Sequence, residues 1–467
     1  METIESVAKK YFGFDTFRPK QKTAIERILT GKTYLLIFPT SFGKSSLYLI
    51  SGLMTEGLTI IVTPTLSLIE DQYSKLKEKD ISVARLDSSI KNKSKVLDNL
   101  SSFKFLYLTP EQLISKVFLS SIRETKIARL VVDECHCLVS WGFSFRKAYL
   151  KIPYSYDALG RPQVIAMTAT ITKDIEREIK KYLQLKTPGR LCQNLIRKNI
   201  SINVKSVESF EDKVFEISSI LDDRFGKKGI IYCSTIKECN KLIENFPDHN
   251  KDKYYGLLSN KRKKDVFDGF KSGDFNVLIT TSSFGLGIDL PVDYVIVANA
   301  VSSLEEYYQM IGRAGRFSNG ESFFLSEDRD FKIQQYFINV NFPKRQIVED
   351  VYYLCLCKEA IEINPAAVLL KHDPLEIHSA LVFLKGEGFI NYVKHGENFL
   401  HICRNKYNKV LFVNWSYISQ KREFRETGVK KMKEYFDYDG CYNNYLNMYF
   451  HEKELKKPCG TCENCLT

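Results

Sequence analysis

The apolar positions of the chain fall into two patterns that alternate. Tyr34-Leu35-Leu36-Ile37-Phe38 and Leu130-Val131-Val132 are short continuous apolar runs closed by polar residues. Such runs mark strands buried on both faces of a parallel sheet. Ala24, Ile25, Ile28 and Leu29 before the first run, and Leu47, Leu49, Ile50 and Leu53 after it, recur at helical spacing. The alternation returns with Gly229-Ile230-Ile231-Tyr232-Cys233-Ser234 and Val277-Leu278-Ile279-Thr280-Thr281. From about residue 340 it changes. Pro343 to Leu356 is helical, with Ile347, Val351 and Leu354 on one face, and Asp373-Pro374-Leu375 opens another helix that runs through Leu384 and stops at Gly386-Glu387-Gly388. Phe389 to Val393 and Phe399 to Ile402 then flank Lys394-His395-Gly396-Glu397-Asn398, a hairpin signal. The pattern predicts an α/β protein with two parallel-sheet units, residues 1–195 and 196–340. A winged-helix-like segment (341–420) and a small helical, cysteine-bearing module (421–467) follow.

Composition narrows the class. A chain of 467 residues exceeds one core, and 44% hydrophobic residues argue for packed domains over disorder. The net charge of +12 is compatible with a polyanion partner without demanding one. No apolar run is long enough for a membrane span, and Glu2 and Glu5 interrupt any leader, so a cytoplasmic protein is expected. Cys135, Cys137, Cys192, Cys233, Cys239, Cys355, Cys357 and Cys403 are expected to be small buried hydrophobes.

Three stretches carry candidate chemistry. After the Tyr34–Phe38 run, Pro39-Thr40-Ser41-Phe42-Gly43-Lys44-Ser45-Ser46 leads into a helix. A strand, a tight loop and Gly-Lys-Ser at a helix start form a phosphate cradle: backbone N–H groups face the anion, Lys44 reaches the β/γ-phosphates, and Ser45 ligates Mg²⁺. An ordinary strand-to-helix turn is the alternative, because Phe38 stands where the full motif has its first glycine. Asp133 and Glu134 end the Leu130–Val132 run, at the strand end where α/β proteins bind ligands. Two carboxylates there suit a hydrated Mg²⁺ and an aligned water, or are simply solvated acids before a loop. Phe17, Arg18 and Gln21, before the first helical pattern, could read an adenine edge or merely cap the helix.

Together these stretches resemble a superfamily 2 DExH-box helicase, and more narrowly the RecQ DNA helicases, over residues 10 to 320. Phe17 to Gln21 is similar to the adenine-reading motif, and Pro39 to Ser46 to the Walker A loop, with Thr40, Gly43, Lys44, Ser45 and Ser46 at the nucleotide. Ser41 and Phe42 stand where that family has small glycines. Val62 to Gln72 and Tyr107 to Leu113 resemble segments that contact the DNA backbone, which implies Thr63 and Thr109 there. Asp133-Glu134-Cys135-His136 fits the DExH box, and Ser140 to Arg146 resembles the aromatic-rich loop of RecQ proteins, which implies Trp141, Phe145 and Arg146 at DNA. In that loop Phe143-Ser144 and Lys147-Ala148 replace the family's His-Asp and Pro-Glu. Met167-Thr168-Ala169-Thr170 matches the motif linking hydrolysis to strand movement. Ser282 to Asp289, following Thr281, and Tyr307 to Arg316 resemble helicase motifs V and VI.

The resemblance implies two RecA-like domains, with ATP between Lys44 and Asp133 on one side and Arg313 and Arg316 on the other. Asp133 and Ser45 would hold Mg²⁺, Glu134 would serve as base, and Arg316 as arginine finger, a forked cation suited to the charge that develops on a transferred phosphoryl group. Thr281 would touch DNA, while His136, Thr168 and Gln309 would couple the two sites. The implied activity is DNA-stimulated ATP hydrolysis driving 3′→5′ movement and duplex unwinding in DNA repair or recombination. Binding to single strands and duplex junctions would be independent of sequence, because phosphate contacts carry no base information. An RNA helicase, a translocase that does not unwind, and a non-enzymatic nucleic-acid-binding protein are the other readings.

The last part of the chain adds two expectations. Helices followed by a β-wing suit duplex contact, with His395 or Tyr392 near a hairpin tip, or a small packing domain. The Lys- and Arg-rich stretch from Lys421 to Lys433 is a solvated helix face or a DNA patch. Cys441 with Cys459, Cys462 and Cys465 suits tetrahedral Zn²⁺, and RecQ proteins carry a similar site after the motor. An iron–sulfur cluster is the competing chemistry, but 17 residues separate Cys441 from Cys459, unlike a run of close ligands. In the best-known RecQ proteins the winged helix follows the cysteines; here it precedes them. Two residues follow Cys465, and no further accessory domain is expected.

Overall fold

The computed structural model describes the chain except residues 1, 40–41, 141–146, 194–195, 283, 285–289, 291, 317, 396–398, 404–410, 412, 452–453 and 467. Seven strands form the first sheet: β1 (Tyr34–Ile37), β2 (Leu58–Val62), β3 (Val83–Leu86), β4 (Phe105–Leu108), β5 (Ile127–Val132), β6 (Gln163–Thr168) and β7 (Gly189–Cys192). Their order is β3-β4-β2-β5-β6-β1-β7, all parallel. Parallel strands need helical crossovers that cover both faces, which is why β1, β2 and β4 are buried along their whole length. Successive side chains feed opposite cores: Leu35, Ile37, Leu130 and Val132 one, Tyr34, Leu36, Val131 and Met167 the other. The second core is closed by the helices Ile4–Phe12, Gln21–Leu29 and Lys44–Leu53.

A second parallel sheet follows: β8 (Ile200–Ser206), β9 (Gly229–Cys233), β10 (Lys251–Tyr254), β11 (Val277–Thr281), β12 (Tyr294–Val297) and β13 (Gly320–Ser326), in the order β10-β11-β9-β12-β13-β8. Its edge strand β8 is covered by the C-terminal cysteine module. Cys462 bridges to Ile202, and a Glu463 oxygen accepts the Val204 N–H at 3.1 Å, which occupies the middle of that edge.

The segment after residue 344 forms a helix (Arg345–Cys357), a short strand β14 (Ala360–Glu362), helices Ile363–Leu370 and Pro374–Gly386, and the strands β15 (Asn391–His395) and β16 (Phe399–Cys403), with sheet order β14-β16-β15. The wing strands are antiparallel, with Tyr392 opposite Ile402. The three-residue β14 carries too little periodicity to be read from sequence. Pro374–Gly386 packs against Arg345–Cys357 on one side and Asp328–Asn341 on another, burying Ile377, Ala380, Leu381 and Leu384. The helix that a winged-helix fold would offer to a DNA groove is therefore largely occupied by protein.

Trp415–Phe436 is a 22-residue helix that lies on Asp328–Asn341, where Arg422 donates to Phe342 O at 2.8 Å and Asn339 Oδ1 at 2.6 Å. It also reaches the first sheet unit: Lys421, 8% exposed, sits 5.9 Å from the Tyr182 ring. Lys421 is thus neither on a solvated face nor in a surface patch; its ammonium lies 5.7–5.9 Å from the ring centres of Tyr182, Tyr417 and Phe424. Cys357 likewise departs from expectation and is exposed, while Cys135, Cys137, Cys233, Cys239 and Cys355 are buried. Among the described residues no helix is long and apolar enough to cross a membrane.

Candidate active site

The phosphate-cradle loop is assembled at the carboxyl end of β1. The Phe38 N–H bonds to Thr168 O at 3.1 Å, tying the strand exit to β6. Thr40 and Ser41 lie outside the described residues. Phe42, the bulky departure in this loop, is buried with its ring stacked on Phe38 at 4.7 Å, so the extra volume turns into the core and away from the cradle. Gly43 has φ +83° and precedes the Lys44–Leu53 helix; a Cβ there would be strained and would sit 3.0 Å from Gln21 Nε2. Gln21 braces the loop from the N-terminal side: Oε1 accepts the Arg18 N–H at 2.8 Å, and Nε2 donates to Phe42 O at 2.7 Å. Phe17 packs against the same core. Ser46 turns back to Gly43 O at 2.7 Å, while Ser45 lies beside the buried Tyr48 hydroxyl, which also feels Asp133. Tyr48 in turn meets Tyr107 at 3.2 Å. This buried hydroxyl pair, behind both Ser45 and Asp133, looks in the sequence like two core aromatics and nothing more.

The acid pair leaves β5 beside that loop. The Asp133 N–H bonds to Val62 O at 3.0 Å and the Cys135 N–H to Met167 O at 2.8 Å, so neighbouring strands hold both ends of the turn. Glu134 between them has φ +46°, a left-handed conformation that costs a non-glycine residue about 1 kcal/mol. The turn aims Glu134 at Lys44, with Oε1 3.0 Å from Nζ, while its own N–H bonds to Asp133 Oδ1 at 2.9 Å. Burial and then the Glu134 charge push the Asp133 carboxyl up to about 7. Burial also opposes the charge on Glu134, but Lys44 and then His136 hold it below the ordinary carboxylate range.

His136 connects this pair to the second sheet. Its Nδ1 lies 3.0 Å from Thr168 Oγ1 and 3.3 Å from Glu134 Oε2, and its Nε2 lies 3.1 Å from Gln309 Nε2. Burial alone would lower its pKa; Cys137, with Sγ 3.6 Å away, and Glu134 outweigh that and push it up to about 10. A neutral ring accepts from the Gln309 amide nitrogen and keeps its proton on Nδ1; a charged ring needs the amide turned so that Oε1 accepts.

Gln309 is on the Leu304–Ile311 helix, and Arg313 and Arg316 follow on the turn leading to β13. Arg313 is 8% exposed; burial, then the neighbouring charge of Arg197, brings Arg316 down to about 10, and Asp71 and the Tyr232 hydroxyl lie close enough to oppose this. Thr281 ends β11 half-buried. Thr63 and Thr109, at the ends of β2 and β4, are buried, with Thr63 Oγ1 turned to Thr65 O at 3.3 Å; Leu66, Ser67 and Glu111 just beyond those ends are exposed. Trp141, Phe145 and Arg146 lie outside the described residues, as do positions 285–289 and the hairpin tip at 396–398.

The four C-terminal cysteines converge, their sulfurs all within 4.8 Å of one another. Separations of 3.4 Å (Cys462–Cys465), 3.8 Å (Cys459–Cys465) and 4.0 Å (Cys462–Cys441) bracket the roughly 3.8 Å edge of a tetrahedron with metal–sulfur bonds of about 2.3 Å. The N–H groups of Thr461 and Cys462 point at Cys459 Sγ from 3.4 and 3.3 Å. Burial opposes a thiolate there, but Thr461 and Asn443 outweigh it and hold Cys459 down to about 6. The donor set is compatible with a metal ion.

Comparison with known proteins agrees with this geometry. The family described as DEAD/DEAH box helicase matches residues 18–178, and the helicase conserved C-terminal domain matches residues 212–318. The chain is 29% identical to the probable ATP-dependent DNA helicase RecS of Bacillus subtilis (strain 168), over 100% of this chain and 92% of that one. It is 27% identical to the ATP-dependent DNA helicase RecQ of Synechocystis, over 100% and 98%. Among solved structures it is similar in fold to Mycobacterium smegmatis helicase Lhr bound to single-stranded DNA and AMP-PNP. There the TM-score is 0.57 at 16% identity, over 85% of this chain and 60% of that one.

Proposed function

Because the chain belongs to the RecQ-type helicases of superfamily 2, we propose that it is an ATP-dependent DNA helicase that couples ATP hydrolysis to 3′→5′ movement on single-stranded DNA and to duplex unwinding. Residues 1–195 and 196–340 are its two motor domains, 341–420 a winged-helix-like domain and 421–467 the metal-binding module. The observation that carries this reading is His136, 3.0 Å from Thr168 and 3.1 Å from Gln309: one imidazole touches the acid turn, the neighbouring strand end and the opposite sheet unit. A rotation between the units must disturb it.

Each residue then has a task. Phe17, Arg18 and Gln21 face the adenine, and the backbone from Thr40 to Ser46 cradles phosphate. Lys44 exchanges its Glu134 partner for the β/γ-phosphates, which frees the Glu134 carboxylate to take a proton from the attacking water. Mg²⁺, held by Ser45 and Asp133, would neutralise phosphate charge. Arg316 and Arg313 spread their guanidinium charge over the departing phosphoryl group. Thr63, Thr109 and Thr281 mark the segments that track the DNA backbone. For the buried Thr63 and Thr109 the contact passes through main-chain and neighbouring atoms. Trp141, Phe145 and Arg146 sense the strand by stacking and charge, such platforms being worth about 1–3 kcal/mol per base.

The four cysteines hold Zn²⁺ as a structural site, a reading supported by the sulfur spacing and by the distance in sequence of Cys441 from the other three. Cytoplasmic residence belongs to the same proposal, supported by buried thiols at Cys233, Cys239 and Cys355 that form no disulfide. A role in DNA repair or recombination comes with the family. Strand separation on 3′-tailed, 5′-tailed and blunt DNA duplexes and on a 3′-tailed RNA duplex tests the reading. ATP-dependent unwinding of the 3′-tailed DNA alone is expected; equal unwinding of RNA, or hydrolysis without unwinding of any substrate, would replace it with the RNA-helicase or translocase alternative.

A further inference from the structure

The segment between β7 and β8 holds a guanidinium that nothing in the sequence singles out. Arg197 turns its fork onto the main chain of the turn that carries Arg313 and Arg316. Nη1 donates to Gly312 O at 2.9 Å, and Nη2 donates to Gly315 O at 2.6 Å and Ala314 O at 3.4 Å. Asn199 works on the same turn: Nδ2 donates to Gly315 O at 2.6 Å and Ser318 O at 2.8 Å, and its carbonyl accepts the Gly320 N–H at 2.8 Å. Arg197 Nε reaches Asn199 Oδ1 at 3.4 Å, so the two side chains form one unit.

Ala314 anchors the middle of the turn in the core, but the turn's glycines offer no side chain to pack. Gly315 has φ +61°, and a Cβ on Gly320 would fall 2.4 Å from Gly315 N, so the two ends close glycine on glycine. On its other flank the Gly315 N–H bonds to Val292 O at 3.1 Å. Hydrogen bonds place the glycine-bearing parts of the turn, and Arg197 and Asn199, on the connection between the sheets, supply side-chain donors to Gly312, Ala314, Gly315 and Ser318. Arg197 is buried enough to lower its pKa, with the Tyr308 hydroxyl opposing this and Arg18, from the adenine-facing segment, adding to it. It therefore lies between the adenine-facing residues of the first unit and the arginines of the second.

We propose that Arg197 and Asn199 are positioning residues for ATP hydrolysis: they fix the arginine-bearing turn to the inter-sheet connection, so that Arg316 and Arg313 reach the phosphates only at the closed angle between the units. This rests on the reading of Arg316 as the arginine finger, and the test separates the two. Single-turnover and steady-state hydrolysis are measured at saturating single-stranded DNA for R316A, R197A, R197K, N199A and the double variant R197A/R316A. Binding of a fluorescent ATP analogue and thermal melting are followed alongside.

R316A should lower kcat by about a thousandfold or more. R197A should lower it by about a hundredfold, the scale of a misplacement near 1 Å, with the analogue's Kd changed less than about threefold. R197K should fall between R197A and the unmodified protein, because an ammonium can reach one carbonyl but not span three. The double variant should be no slower than R316A, since Arg197 acts only through the turn. R316A at the unmodified rate would overturn the finger assignment itself. R316A slow with R197A within about threefold of normal, or a double variant whose losses multiply, would overturn this proposal and leave the finger standing. If R197A melts early, N199A decides: a slow enzyme with unchanged melting supports the proposal, and a normal rate refutes it.

Discussion

Replacing Gln309 by alanine removes the amide that meets His136 Nε2 at 3.1 Å across the two motor domains, and leaves Lys44, Asp133, Glu134 and the arginine-bearing turn in place. A hydrogen bond between neutral groups is worth about 0.5–1.5 kcal/mol net, and one to a charged group about 1.5–3 kcal/mol. Contacts with Cys137 and Glu134 push His136 up to about 10, so the charged range applies near neutral pH and corresponds to a factor of roughly 10 to 150. That energy is present only when the units are docked at this angle. It should appear in the DNA-stimulated rate and not in the basal one. Steady-state ATPase assays with and without a saturating oligonucleotide are expected to show Q309A losing at least about tenfold in stimulation, with basal hydrolysis within about threefold of normal. H136A should behave alike, and the double variant should fall no further, giving a coupling energy above about 1 kcal/mol. Q309E should retain stimulation if the imidazolium donates to the side-chain oxygen, and lose it if the amide nitrogen is the donor. Full stimulation in Q309A, or losses that add within about 0.5 kcal/mol, would refute the idea that this contact carries the coupling.

Three further outcomes follow from separate parts of the fold. F42A should cost about 3–5 kcal/mol in denaturant unfolding, because a buried stacked ring is lost, yet keep ATP-analogue affinity within about threefold, since Gln21 holds the Phe42 carbonyl and not the ring; a large loss of affinity would show the ring shapes the cradle. Burial raises the Glu176 carboxyl, but hydrogen bonds from Lys180 and Arg190 outweigh it and leave the group below its ordinary range. A depressed folded pKa stabilises above the unfolded value and is lost as pH falls through the folded one, so E176Q should melt slightly lower at pH 7. The gap should close below about pH 4; a gap that persists there would refute the assignment. Elemental analysis of the purified protein should find one zinc per chain, and C462A should lose it and open the edge of β8, read as faster hydrogen exchange at Ile202 and Val204; iron with absorbance near 400 nm would point to a cluster instead.

The central strands of the two sheets were legible in the sequence because buried parallel strands write themselves as unbroken apolar runs, whereas edge strands such as β7 (Gly189–Cys192) and β10 (Lys251–Tyr254) do not. The runs ending at Phe38 and Val132 place the cradle loop and the acid pair at strand ends, and the order of the motifs supplied their roles. Side-chain partnerships were not legible: the motifs gave His136, Thr168 and Gln309 a coupling role, and only the structure shows that they touch. Arg197 and Asn199 escaped notice because they bond to main-chain carbonyls, which every residue has, and so leave no pattern in residue types. Lys421 misled for a related reason: a lysine on a basic helix reads as solvated, but here it is buried with its ammonium beside the Tyr182 ring of the first unit. The Pro374–Gly386 helix showed its ends but not its surroundings. Its nearly all-round apolar composition fits burial on several sides, which takes away much of the face that duplex contact would need.

The most direct test of the account is the ATPase rate of the unmodified protein and of K44A, each with and without single-stranded DNA. Hydrolysis should rise steeply with DNA in the unmodified protein and be abolished in K44A under both conditions. Hydrolysis by K44A at the normal rate, or an unmodified protein that hydrolyses no ATP in the presence of DNA, would contradict it.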